Sequence, residues 1–182
     1  MLTVLATVLK PASYLPSIEE IRNNLPQHFE QFTDVRAILD CTEISVQRTK
    51  CLRCRVRCYS NYKGNNTVKF MVAVTPAGLI SFVSEAYGGR ASDKIIFEQS
   101  GLISSLKPNE DAIMVDRSFL IDEIFPENGI KLILPPFMRN RKQMSLQEVE
   151  QNIFIARARV HIKRVNQRIK ILSNVLPWNL VP

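Results

Sequence analysis

The chain has 182 residues, 46% of them hydrophobic and 23% charged, with a formal net charge of +7. This composition predicts one globular domain with a sizeable core. No apolar run approaches the roughly 20 residues of a membrane-spanning helix, and the apolar start of the chain has neither a preceding basic region nor a convincing cleavage site. We therefore expect a soluble intracellular protein without membrane contact.

The positive charge is unevenly distributed along the sequence. Residues 131–170 contain ten Lys or Arg and two acids, a net charge of +8, whereas the rest of the chain carries 14 basic and 15 acidic residues. We infer that the excess charge lies in this late segment, which is typical of a surface that binds a polyanion. A solvated helix face is the alternative, but such a face more often mixes both signs.

The first half of the chain predicts a helix followed by three antiparallel strands. A capping-box pattern opens a short helix at Ile18–Asn23. A short apolar run that ends in Asp40 predicts a buried central strand. Branched residues in 67–75 and 79–84, separated by a Pro-Ala-Gly turn, predict an antiparallel hairpin beside that strand.

The second half alternates helices and strands. Ser92 can cap a helix that runs to about residue 106. A second apolar run ends in Asp116, and because it follows a helix it should lie parallel to the first strand. A short helix at 121–125 and a strand at 131–136 come next, and Ser145 opens the longest helix. That helix carries apolar residues at helical spacing, which predict a buried stripe: Ile155, Ala158, Ile162, Val165, Ile169 and Leu172.

This order of elements predicts an α/β fold with a mixed five-stranded sheet and flanking helices. A ribonuclease-H-like topology has this order, although periodicity alone admits other mixed α/β folds. We assign residues 35–175 to the core, 1–34 to an N-terminal segment and 176–182 to a short C-terminal tail.

The four cysteines raise the possibility of a zinc site. Cys51, Cys54 and Cys58 have the spacing C-x2-C-x3-C, which could supply thiolates to zinc, but a structural zinc site needs four ligands. The fourth would have to be Cys41 or a histidine distant in sequence. We favour reduced, partly buried thiols in a strand and its flanking turn, and keep a zinc-binding module as the lesser alternative.

Asp40 and Asp116 are the candidate metal ligands. Two carboxylates at the ends of neighbouring strands can hold divalent cations that activate a nucleophile and stabilise the departing oxygen of a phosphodiester. Oxygen ligands favour Mg²⁺ or Mn²⁺ over softer metals. A strand-end aspartate by itself is more often a cap or turn residue.

Eight sequence motifs in order raise the weight of the metal interpretation. They are Asp40-Cys-Thr-Glu-Ile, Tyr59-Ser-Asn-Tyr-Lys with Asn66-Thr-Val-Lys-Phe, Thr75-Pro-Ala-Gly, Ile80-Ser-Phe-Val-Ser, Gly88-Gly-Arg-Ala-Ser-Asp-Lys, Val115-Asp-Arg-Ser-Phe, Pro135-Pro-Phe and Arg157-Ala-Arg-Val-His-Ile-Lys-Arg-Val-Asn. Together they closely resemble the DDE superfamily endonuclease domain of Harbinger-type transposases, over about residues 17–175, and in particular the animal branch often found downstream of a THAP zinc finger.

The resemblance implies a ribonuclease-H-like core that holds two divalent metals, Mg²⁺ or Mn²⁺, and cuts or joins DNA strands. The family's first acid matches Asp40 and its second matches Asp116. Its third, a glutamate on the last helix, is replaced here by Lys163. An ammonium supplies no ligand oxygen and repels a cation, so Lys163 could instead form an ion pair with Asp40 or Asp116.

The last helix also presents the expected DNA-binding residues. Arg157, Arg164 and Arg168 recur with His161 on one helical face, where they would contact the phosphate backbone. The resemblance implies a nuclear protein. Because no module that reads base sequence is recognisable upstream of Asp40, specificity would require a DNA-binding partner protein or a missing N-terminal module.

Two main hypotheses remain open on these residues. One is an active metal-dependent nuclease, which needs a replacement for the third acid; the other is a degenerate or domesticated copy that binds DNA or protein without cutting. Asp93 is expected to act mainly as a first-turn acid beside Ser92. Glu43 is expected to be a surface acid at a strand end.

Overall fold

The computed structural model of the chain describes residues 14–116, 119, 129–136 and 143–175, with side chains up to residue 172. The helices are α1 (Ile18–Asn23), α2 (Leu52–Cys58), α3 (Asp93–Gln99), α4 (Leu146–Ala158) and α5 (Val160–Val175), with 3₁₀ turns at Gln27–Phe29 and Leu102–Ser105. The strands are β1 (Val35–Ser45), β2 (Tyr59–Ser60), β3 (Asn65–Val74), β4 (Ile80–Val83), β5 (Tyr87–Gly88), β6 (Ala112–Met114) and β7 (Lys131–Ile133).

The strands form one mixed sheet in the order β2-β3-β1-β6-β7, and β4 and β5 also pair with β3. β1 runs antiparallel to β3 and parallel to β6, and β6 runs parallel to β7. The five predicted strands, the hairpin and the parallel pairing are therefore confirmed, as is a mixed α/β architecture consistent with a ribonuclease-H-like fold. The two further strands, β2 and β5, have two residues each, too few for an alternating pattern to predict them.

Helices cover both faces of the sheet because alternate residues of its strands point in opposite directions. Leu39 packs on one face with Phe97 of α3. Ile38 packs on the other face with Ile155 of α4 and Ile162 of α5. The central strands are consequently buried on both sides, as their short, almost continuous apolar runs suggested.

The longest predicted helix is interrupted. Arg159 (φ −79°, ψ 0°) ends α4, and α5 begins at the next residue. The hydrogen-bond ladder nevertheless continues, because the Lys163 N–H donates to the Arg159 carbonyl at 3.4 Å. The predicted stripe is buried from Ile155 to Val165, but Leu172 is 60% exposed, so that part of the prediction was wrong. Periodicity shows which side of a helix faces a partner, not how far the partner extends.

Two local predictions are also corrected. The helix opened by Ser92 ends at Gln99, because Gly101 adopts a left-handed conformation (φ +72°) and a 3₁₀ turn follows. The segment from Cys51 to Cys58 forms the helix α2 and its cap, and Cys51 and Cys54 are exposed. Cys41, in strand β1, and Cys58 are partly buried, as predicted.

Two predicted features, the helix at 121–125 and the tail at 176–182, lie outside the described residues. Among the helices that are described, none combines the length and the apolar character needed to cross a membrane.

Candidate active site

Asp40 and Asp116 line the same pocket, beside the middle of β1 and the carboxyl end of β6. β1 and β6 pair in parallel with Ile38 opposite Met114, and each aspartate lies two residues further along. Because the two positions correspond across the parallel pair, both carboxylates lie where β6 ends. β1 continues to Ser45, so Asp40 lies within its strand and not at the strand end. The pocket they share has a volume of about 430 Å³ and is also lined by Glu43 and Asp93.

Asp40 is held by an amide. Asn166 of α5 donates from Nδ2 to Asp40 Oδ2 at 2.8 Å. Burial raises the pKa of the Asp40 carboxyl; Arg159 and the Asn166 hydrogen bond act against this, while the charges of Asp116 and Asp93 reinforce it. The carboxylate therefore lies in a partly dehydrated setting where its negative charge is unfavourable.

Asp116 is held by a guanidinium. Arg159 Nη2 lies 3.0 Å from Asp116 Oδ2, and the Arg159 side chain is only 7% exposed whereas that of Asp116 is 44% exposed. Arginine keeps its charge at all physiological pH values. A permanent cation thus contacts the second of the two predicted metal ligands.

Lys163 does not form the ion pair that the sequence suggested. Its side chain is exposed, and it forms an ion pair with no acid in the described part of the chain. Arg159 and Asn166 are seven positions apart, or two helical turns, so they face the acids together. Sequence analysis missed both residues, although this spacing of seven was available as a signal.

The remaining acids of the pocket are paired with Lys69 of β3. Its Nζ lies 2.5 Å from Asp93 Oδ1 and 3.9 Å from Glu43 Oε1. Burial acts to lower the pKa of Lys69, but the hydrogen bond and the charge of Asp93 raise it overall. Asp93 is a first-turn acid of α3, as predicted, and it also lines the pocket. Glu43 was wrongly expected on the surface: its side chain is 10% exposed and accepts a hydrogen bond from Thr67.

These contacts fit a two-metal site poorly. Across the described ranges, no group of three or more His, Cys, Asp or Glu side chains is placed to hold a metal ion. Asp116 and Asp93 already have cationic partners. The four cysteines, all within the described residues, form no such group either, which removes the support for the zinc alternative.

The predicted DNA-binding arginines are all exposed. Arg157 belongs to α4 whereas Arg164 and Arg168 belong to α5, so the interruption at Arg159 separates the first from the other two. His161 has a packing role instead, since its ring stacks on His28 with centroids 5.5 Å apart. Burial, followed by the charges of His28 and Arg164, lowers the pKa of His161, which does not favour a phosphate contact.

A second basic segment escaped the sequence analysis. From Ile44 to Ser84 the chain contains no acid and seven basic residues: Arg48, Lys50, Arg53, Arg55, Arg57, Lys63 and Lys69. The prediction that the excess positive charge lies only in 131–170 was therefore wrong. Acids elsewhere in the chain offset the charge of this segment, so the residues outside 131–170 are nearly neutral as a whole.

Comparison with known families finds a match over most of the chain. Residues 39–181 match the family described as DDE superfamily endonuclease. That range includes most of β1, the other six strands and the helices α2 to α5. No curated protein matches the chain. Because the family match extends over most of its length, the chain belongs to the DDE superfamily endonucleases.

Proposed function

We propose that this chain is a transposase-derived DDE domain of the Harbinger type that binds DNA through its basic surfaces and has weak or no phosphodiester cleavage. The observation that carries the proposal is the ion pair between Arg159 and Asp116 at 3.0 Å. In this pocket, cations of the protein itself contact acids that would otherwise be available to a metal ion. In a DNA-binding protein of this descent, we expect a nuclear location.

Cleavage in the family depends on divalent metal, which stabilises charge on the attacking and leaving oxygens. In this chain Asp40 and Asp116 are the two carboxylates that could hold Mg²⁺ or Mn²⁺. Binding would require Asp116 to exchange Arg159 for the metal, and Lys163 would add positive charge at the edge of the site without adding a ligand. Each of these features lowers metal affinity, so we expect one weakly held cation at most.

DNA binding is supported by the charge of the surface rather than by any base-reading element. Arg164 and Arg168 are exposed on α5, one helical turn apart. Exposed arginines on one face can contact successive phosphates, and such binding weakens steeply with salt. Selection of a particular sequence would come from a partner protein or from an additional DNA-binding module.

A nicking assay tests the proposed loss of cleavage. Supercoiled plasmid is incubated with Mn²⁺ and the unmodified protein, Lys163→Glu, Asp116→Asn, or a matched control, Lys107→Glu. Lys107 is exposed and lies outside the pocket, so its substitution changes the net charge equally without approaching the acids. We expect no nicking by the unmodified protein or by Lys107→Glu, and nicking by Lys163→Glu.

Two other outcomes are informative. Nicking by the unmodified protein that disappears in Asp116→Asn would show that the pocket functions without a third acid, and the proposed loss of activity would be wrong. If all four proteins fail to nick but bind plasmid in low salt, the second candidate function, a domesticated DNA- or protein-binding module without catalytic capacity, is favoured. The Arg159–Asp116 ion pair supports this second candidate function as well, because a cation of the protein contacts a candidate metal ligand.

A further inference from the structure

A second pocket, which we call the arginine pocket, lies beside the pocket of acids. Arg48, Arg55 and Arg90 line it together with Tyr59 and Asn66, and its volume is about 390 Å³. Among the described residues that form its walls, none is an Asp or a Glu. The turn between β2 and β3 contributes to both pockets, because its tip lines the acid pocket while its two strands line the arginine pocket.

The arginine pocket is built from three separate chain segments that are held together by backbone contacts. Arg55 of α2 donates from Nε and Nη2 to the Thr49 carbonyl at 3.3 and 3.2 Å, which ties the helix to the loop after β1. The Arg90 N–H donates to the Arg57 carbonyl at 3.3 Å. A Cβ on Gly88 would overlap that same carbonyl oxygen, so only glycine allows this approach, and Arg90 is thereby positioned close to α2.

The arginine pocket offers hydrogen-bond donors to an anion. Asn66 is only 4% exposed, and no acceptor for its buried Nδ2 occurs among the residues that the structure describes. A buried donor is costly unless it is satisfied. Three arginines around one cavity, which the Asn66 side chain also lines, suit an anion with several acceptor oxygens, which is the chemistry of a phosphate group.

We propose that the arginine pocket binds a backbone phosphate of a DNA strand whose neighbouring segment lies over the pocket of acids. This inference rests on the proposed function, since it names a subsite for the same DNA. The ring of Tyr59, 44% exposed, flanks the pocket and provides a surface on which a base can stack. The shared β2–β3 turn places the two pockets next to each other along one strand.

The test measures DNA affinity as a function of salt with two matched double variants. Arg48→Gln/Arg90→Gln removes two charges from the arginine pocket. Arg53→Gln/Arg57→Gln removes two charges from α2, at exposed positions that do not line it. Binding of a short fluorescein-labelled duplex and of its single strand is followed by anisotropy, and circular dichroism confirms that each variant is folded.

We expect the pocket variant to bind DNA about tenfold more weakly than the control variant. Its slope of log affinity against log salt should be smaller by about one for each phosphate that the variant no longer binds. Equal affinities and slopes in the two double variants would overturn the inference. A third double variant, Arg164→Gln/Arg168→Gln, separates this failure from failure of the proposed function. If it loses affinity while the pocket variant matches its control, the chain binds DNA but not through the arginine pocket.

A final arm distinguishes DNA from free phosphate as the ligand. Inorganic phosphate and deoxynucleoside monophosphates are tested for thermal stabilisation of the unmodified protein and of the pocket variant. Stabilisation that is lost in the pocket variant, combined with DNA affinity equal to that of the control variant, would assign the pocket to a free phosphate compound and overturn its assignment to DNA. If the unmodified protein does not bind DNA at all, the proposed function and this inference both fall.

Discussion

Arg159 and Asp116 form one ion pair, but replacing Asp116 should destabilise the protein more than replacing Arg159. The Arg159 side chain is 7% exposed, and its buried Nε has no hydrogen-bond partner within the described ranges, whereas the Asp116 side chain is 44% exposed. Asp116→Asn leaves a buried guanidinium with Asp40 as a nearby compensating charge. We expect this variant to lower the free energy of unfolding by about 2–4 kcal/mol. Arg159→Met keeps the packing of the side-chain stem and leaves the Asp116 carboxylate, which water reaches. We therefore expect this variant to lower the free energy of unfolding by only about 1–2 kcal/mol.

A double-mutant cycle measures this asymmetry. The two single variants, the double variant and a matched control, Arg168→Met at an exposed position of α5, are unfolded in urea with EDTA present and followed by circular dichroism. We expect a coupling energy of about 1–2 kcal/mol between Arg159 and Asp116 and a change within about 0.5 kcal/mol for the control. If Arg159→Met costs as much as Asp116→Asn, or if the coupling is indistinguishable from zero, the partly buried ion pair is not a feature of the protein in solution.

Three further predictions concern the glycine contact, a histidine and the cysteines. Gly88→Ala should lower the free energy of unfolding in urea by about 2–3 kcal/mol, because its Cβ would overlap a backbone carbonyl. Gly64→Ala, in open space but at φ +63°, should lower it by only about 1 kcal/mol, and equal losses would contradict the close contact. Burial lowers the pKa of His161, so the folded protein binds a proton at this ring less readily than the unfolded chain does. The protein should therefore lose stability as the pH falls through about 6.5. Thermal unfolding of His161→Gln should lack this part of the loss, and a pH profile identical to that of the unmodified protein would contradict the prediction. Peptide mapping after brief iodoacetamide treatment should find Cys51 modified before Cys41. A hydrogen bond from a backbone N–H lowers the pKa of the exposed Cys51 thiol, whereas burial raises the pKa of the Cys41 thiol. The reverse order of modification would refute this account.

Local patterns in the sequence predicted the sheet well because each predicted strand is bounded by turn residues and buried on at least one face. The run ending in Asp40 and the run ending in Asp116 both became central strands, and their parallel pairing followed from the helix between them. The cysteine segment was misjudged for the opposite reason. Every residue of its helix, α2, is at least partly exposed, so it carries no apolar period from which a helix could be predicted.

The residues that contact the acids could not be identified from charge and motif alone. Lys163 was the expected partner because the resemblance aligned it with the family's glutamate, yet Arg159 contacts Asp116 and Asn166 contacts Asp40. The choice depends on how the start of α5 is rotated relative to the sheet. That rotation is set by the burial of Ile162 and Val165 and by the irregular backbone at Arg159.

The sequence by itself determined the alternation of strands and helices and singled out Asp40 and Asp116, because periodicity and residue chemistry are local properties of the chain. Only the tertiary structure decided which side chains contact those aspartates and that Arg48, Arg55 and Arg90 surround one cavity. Both depend on distances between segments that are far apart in sequence. Such distances follow from the packing of helices on the sheet and from close backbone contacts such as the one that Gly88 permits.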